Sequence, residues 1–233
     1  NDICDQKQDR YHPTKCFRPI ASGALGVRVA ASAILVLAIV SLVLASFSWR
    51  VVGVLGCYGL INIAYSLWIK QIVVMDVISL GIGFVFRVYG GGFAIGVLPS
   101  SWLVLTTFLL SLFLALAKRR QELLLIGKEA AVHRPVLEQY SIKFIDELIS
   151  VVTPVTLVTY ILYTLDSVTV ARFQSDHLFL TSLFVVFGIF RYLYLIHQNN
   201  LGGSPTDLVI QDIPLILAIL GWILSFALIV YFS

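Results

Sequence analysis

The chain opens with three aspartates, Asp2, Asp5 and Asp9, in the stretch NDICDQKQDRYHPTKCFRP. Spacings of three and four residues place them within an arc of roughly 60° on one helix face, so the carboxylates would line one wall. Like charges this close repel unless a cation lies between them, which points to a divalent metal. Oxygen donors without a thiolate cluster favour Mg2+ over zinc, and Mg2+ is commonly shared with substrate phosphates. Pro13 predicts that the helix stops near His12. Arg10 before that break, and Lys15 and Arg18 after it, are cations suited to phosphate oxygens. Carboxylates for a metal beside cations for phosphate are what binding a diphosphate requires. Two other readings stand beside this one: a solvated, mixed-charge cap on a membrane helix, and a zinc site from Cys4, His12 and Cys16, which lacks a Cys-x-x-Cys knuckle.

The elements that must position these residues are apolar. Of the 233 residues, 59% are hydrophobic and 12% charged, and mean hydropathy is +0.94. Apolar runs at about 24–47, 52–69, 74–97, 101–117, 147–165, 178–197 and 213–232 approach the length of about 20 residues that crosses a bilayer. The chain therefore reads as an all-α polytopic membrane protein. The net charge of +3 is small and forms no aromatic-interleaved basic patch, which argues against a nucleic-acid partner. Alternation puts residues 1–22, 70–73, 118–146 and 198–212 on one side. That side carries most of the Lys and Arg, so by the positive-inside rule it is cytoplasmic. Segment 118–146 mixes charge with leucine and suggests an amphipathic interfacial helix rather than a disordered linker. Cys4, Cys16 and Cys57 suggest no disulfide framework and are expected to be free.

Several charges outside the opening stretch are candidates. Lys118, Arg119 and Arg120 are either an orientation signal or phosphate ligands, and three consecutive helical positions point about 100° apart, so all three cannot face one ligand. Glu122 is the nearest carboxylate, and Tyr140 of the same segment is a further candidate for substrate binding. Arg87 lies inside a span, where an arginine usually faces a polar cavity or a partner. Asp76 shares its face but lies roughly 16 Å away along the axis, and reads equally as a helix-start cap. Arg191, beside Tyr192 and Tyr194, is either an interfacial anchor or a phosphate ligand. Asp212 ahead of Pro214 reads as a helix cap. His133, His177 and His197 have no assignable role.

The opening segment, Asn1-Asp2-x-x-Asp5-x-x-x-Asp9-Arg10 followed by His12-Pro13 and Arg18-Pro19, resembles the first aspartate-rich motif of the UbiA superfamily of intramembrane prenyltransferases. The resemblance extends over the whole chain. It implies a single helical-bundle domain over 1–233, with nine transmembrane helices expected in a full chain, seven of them here and two upstream. It also implies a polar substrate head under a cytoplasmic cap, Mg2+ at Asp2, Asp5 and Asp9, and Asn1 among the substrate-binding residues.

Aromatic-acceptor members carry a second aspartate-rich motif after the sixth helix. Here that position reads LAKRRQELLLIGKEAAVHRPVLEQYS, without an Asp-x-x-x-Asp. This basic variant resembles the decaprenyl-phosphate phosphoribosyltransferase branch, which implies 5-phosphoribosyl 1-diphosphate as donor, a polyprenyl phosphate as acceptor and a bacterial inner membrane. Three phosphate-bearing groups bring more negative charge than a prenyl diphosphate and a neutral aromatic, and more cation with less carboxylate is the expected compensation. The competing readings are prenyl transfer to an aromatic acceptor and, outside enzymes, a lipid-phosphate binding or transport protein. A transporter would be expected to show internal repeats, and none is evident.

Overall fold

A chain in hydrocarbon must bond its own backbone groups, and apolar runs of this length do so as helices. The structure, a computed structural model, describes residues 2–11, 15–126, 135–199 and 204–232. Among these residues there are no strands, and seven helices are long and apolar enough to cross a membrane. They are α1 Val27–Ala45, α2 Trp49–Leu67, α3 Met75–Ala94, α4 Ser101–Ile126, α5 Ile142–Leu165, α6 Ser182–Gln198 and α7 Ile213–Tyr231. The 19 residues of α1 rise about 28 Å at 1.5 Å each, close to the thickness of a bilayer core. Each of the seven apolar runs thus became a helix, with ends moved by a few residues in most cases.

The chain divides into two compact units, residues 1–98 with 126–140, and residues 99–125 with 141–233. In the first unit α2 packs along α3 and α1 packs on α2. Where α2 faces α3, a methyl group at Gly90 would lie 3.6 Å from Val54 and one at Gly83 would lie 3.7 Å from Tyr58, ordinary contact distances. In the second unit α6 packs on α7, and Gly221 leaves room on α7 for the Phe184 ring of α6. Trp222 of α7 donates to the Tyr160 hydroxyl of α5 at 2.6 Å, and that hydroxyl meets Thr181 at 2.8 Å. Pro154 lies inside α5, where it removes one helix hydrogen bond. The hydroxyls of Thr153 and Thr156 bond back to backbone carbonyls in the same stretch.

Two expectations about elements need correction. The segment 118–146 is not wholly an interfacial cap: α4 continues to Ile126 and α5 starts at Ile142, capped by Ser141, which accepts from the Phe144 amide at 3.1 Å. Hydropathy ends a span at the first charge, whereas here Arg119, Arg120 and Glu122 are buried and paired, so the helix runs on through them. The opening aspartates do not share one long helix either. Among the described residues of the motif only Gln6–Asp9 is α-helical, with Asp2 and Asp5 in the preceding turns. So short a helix is held by tertiary contacts rather than by its own propensity.

Candidate active site

In the first unit two of the three aspartates converge. Nη1 of Arg18 donates to Asp2 Oδ1 at 2.9 Å and to Asp9 Oδ2 at 3.0 Å. Asp9 is buried, with 8% of its side chain exposed, whereas Asp2 is about half exposed. A buried carboxylate with a guanidinium partner avoids the cost of an uncompensated charge. Two main-chain contacts bring Arg18 to this place: Gln6 donates to the Ile20 carbonyl at 3.2 Å, and Arg10 donates through Nε to the Ala21 carbonyl at 3.2 Å. Arg10 therefore folds the 18–23 turn back over the motif while remaining exposed at the surface.

Asp5 is held differently. It pairs with Lys70 of the short connection between α2 and α3, and both side chains are largely buried. In the sequence Lys70 is one of the positive charges of the 70–73 connection and bears only on membrane orientation. Its one sequence signal is being a lone lysine in a two-helix connection on the same side as the motif. Asn1 and His12 lie outside the described residues, and for Lys15 only the backbone is described. Cys4 and Cys57 are free thiols, as expected.

The other candidates have protein partners of their own. In the second unit Arg119 is 2% exposed and donates to Glu122 at 2.6 Å along α4. Arg120 points elsewhere, to Asp146 of α5 at 2.8 Å and to the Ile196 carbonyl of α6 at 3.0 Å. His197 approaches the same Asp146 oxygen at 3.4 Å. Lys118 is half-buried. Neighbouring positions on one helix thus serve separate partners, as their angular spacing requires. Arg191 grips Asp212 through Nε and Nη2, at distances from 2.8 to 3.2 Å, and lies 5.0 Å from the centre of the Tyr194 ring. Asp212 also accepts from the Leu215 amide at 2.9 Å, so the expected cap is present and is bonded to Arg191 as well. The Arg191 hydrogen bonds, aided by that amide and opposed by desolvation, hold the Asp212 carboxyl below the usual carboxylate range.

Back in the first unit, Arg87 is exposed and donates to the Tyr58 hydroxyl at 2.7 Å, with its guanidinium 4.9 Å from the Phe84 ring centre. Tyr140 is buried, and its hydroxyl accepts from the Val74 amide at 2.6 Å and donates to Asp76 at 2.7 Å. Asp76 is therefore neither a simple cap nor a partner of Arg87 in any described contact.

Residues 1–204 match the UbiA prenyltransferase family. The chain belongs to that family. It is 30% identical over 243 residues to the decaprenyl-phosphate phosphoribosyltransferase of Mycolicibacterium smegmatis, covering 100% of this chain and 75% of that protein. The enzyme of the same name from Corynebacterium glutamicum is 30% identical over 234 residues, covering 99% of this chain and 70% of that protein. Among solved structures, a UbiA homolog from Archaeoglobus fulgidus bound to GPP and Mg2+ superposes with a TM-score of 0.73 at 19% identity, over 98% of this chain and 81% of that one. That likeness establishes the fold, and the family establishes a multi-pass membrane transferase.

Mg2+ in that UbiA homolog raises the question of whether this chain's residues suit a metal. Among the described residues no three His, Cys, Asp or Glu side chains are gathered into a ligand set. Asp2 and Asp9 nevertheless direct one oxygen each at a single cationic nitrogen of Arg18, and Asp5 is neutralised by Lys70. The donors are hard oxygens, and Mg2+ takes few protein ligands, filling its octahedron with water and phosphate oxygens. The motif fits such an ion, provided the two cations turn towards an anionic substrate when the metal enters.

Proposed function

We propose that this chain transfers 5-phosphoribose from 5-phosphoribosyl 1-diphosphate to a polyprenyl phosphate, releasing diphosphate. The observation that carries the reading is the identity with two decaprenyl-phosphate phosphoribosyltransferases along essentially the whole chain. The site chemistry supports it. Asp2 and Asp9, with Asp5, would hold Mg2+, which neutralises a diphosphate and makes it a better leaving group. Arg18 and Lys70, now on these carboxylates, supply cations for the diphosphate oxygens.

In the reaction the bond from the anomeric carbon to the diphosphate oxygen breaks, and the electron pair leaves with diphosphate. An oxygen of the lipid phosphate forms the new bond at that carbon. A phosphate monoester is already anionic near neutral pH, so the chain need not supply a strong base, and its task is to position two anions and balance their charge. The acidic second motif of aromatic-acceptor members is absent here. Arg119, Glu122 and Arg120 instead make protein ion pairs at that position, and we assign them to shaping the second unit. By the positive-inside rule the Asp-rich motif faces the cytoplasm of a bacterial plasma membrane.

The test uses purified protein in detergent with polyprenyl phosphate and Mg2+, comparing labelled phosphoribosyl diphosphate with labelled prenyl diphosphate. Ribosyl label should enter the lipid phase, and Asp2→Asn or a chelator should abolish the transfer. Transfer from prenyl diphosphate alone would overturn the donor assignment and leave the family unchanged.

A further inference from the structure

The connection between α2 and α3 contains an unusual backbone conformation. Val74 has φ +69° and ψ −40°, in a region that a β-branched residue rarely enters. Among the described residues Gln174 is the other non-glycine with positive φ, and it adopts an ordinary left-handed helix stop. Such a conformation persists only where its surroundings hold it.

Tyr140 provides that hold. Its hydroxyl accepts from the Val74 N–H at 2.6 Å and donates to Asp76 at 2.7 Å. A hydroxyl has one proton to give and lone pairs to receive with, so one oxygen serves both partners. Tyr140 is 6% exposed and Asp76 is fully buried, which keeps water from competing for either bond. Val74 is the N-cap of α3 and makes no side-chain cap of its own. Tyr140, 66 residues away, receives a helix-end donor that would otherwise lack a partner within the helix. Asp76 lies in the first turn, where the helix dipole favours a negative charge. Just upstream, the turn Ile69–Gln71 carries Lys70, whose ammonium meets Asp5. The bend at Val74 thus helps set where Lys70 lies relative to the aspartate motif.

We propose that Tyr140 is a positioning residue for the Asp-rich site: its hydroxyl locks Val74 at its positive φ, and that bend presents Lys70 to Asp5 and to the diphosphate. The proposal rests on the assignment of the Asp-rich motif as a Mg2+-diphosphate site. It does not depend on what the diphosphate is attached to.

The experiment measures the concentration of inorganic pyrophosphate, with Mg2+, that half-saturates thermal stabilisation of the purified protein in detergent. Wild type, Tyr140→Phe, Asp76→Asn and the double variant Tyr140→Phe/Val74→Gly are compared, together with their melting temperatures without ligand. Tyr140→Phe should raise the half-saturating concentration about tenfold, the usual scale for losing an outer-shell partner. Asp76→Asn, which keeps an acceptor for the hydroxyl, should fall between that variant and wild type. Glycine at 74 adopts positive φ without help, so the double variant should return to within about threefold of wild type. A merely structural tyrosine would change the melting temperature and leave pyrophosphate affinity alone, which would overturn the proposal. Failure of Val74→Gly to restore affinity would overturn it too, and if Tyr140→Phe does not fold, wild-type affinity in Asp76→Asn does the same. Wild-type protein that ignores Mg2+ and pyrophosphate defeats both this proposal and the metal-site assignment. Binding without ribosyl transfer defeats the donor assignment alone.

Discussion

Arg18 occupies the place in this site that a metal would contest. One nitrogen between the Asp2 and Asp9 carboxylates relieves a repulsion that a divalent ion would relieve more strongly. Arg18→Gln should therefore lower stability by about 1–2 kcal/mol without metal, on the scale of charged hydrogen bonds at a partly exposed site. Mg2+ should restore part of that loss, read as a larger Mg2+-dependent rise in melting temperature than in wild type. Tyr192 poses the opposite case. It is 4% exposed and packs at a tilt against Phe113, yet its hydroxyl has no hydrogen-bond partner among the described residues. An unmet buried hydroxyl is a cost, so Tyr192→Phe should leave stability within about 0.5 kcal/mol of wild type or raise it. A clear loss in thermal unfolding would mean that the hydroxyl has a partner.

Between elements, the Arg191–Asp212 pair fastens α6 to the start of α7 and caps α7 with the same carboxylate. Its pH dependence has a definite sign. Because Asp212 sits below the usual carboxylate range in the folded chain, its contribution is whole above the ordinary value of about 3.9 and is lost as acid carries the pH down through the lowered native value. Thermal unfolding in detergent should show this as an acid-side fall in stability that Asp212→Asn makes shallower. The long reach of α4 follows the same rule. A helix passes through Arg119, Arg120 and Glu122 because each charge has a partner in its own unit, and removing one member of such a buried pair is more costly than removing both.

Among the described residues, the Asp-rich motif precedes seven helices long and apolar enough to cross a membrane, a topology that cysteines can report. Cys4 is exposed beside the Asp-rich motif, and Cys57 lies within α2. In sealed inside-out vesicles a membrane-impermeant maleimide should label Cys4 readily and Cys57 poorly, and in right-side-out vesicles Cys4 should be protected. The reverse pattern would place the site on the outer face and overturn the proposed orientation.

The sequence by itself determined the class, the seven spans and the aspartate motif, because hydropathy and short spacings are local properties that survive without a partner. Even so, it ended the fourth span at its first lysine, since local hydropathy cannot count a charge that will be neutralised by Asp146 or Glu122. Only the tertiary structure decided which charges meet. Lys70 reaches Asp5 across 65 residues and Tyr140 reaches Asp76 across 64. Arg191 spends its fork on Asp212, which makes it a fastener between helices. Such pairings depend on which helix faces turn towards each other. That choice is made by packing along the full length of the spans, and a pattern read a few residues at a time does not contain it.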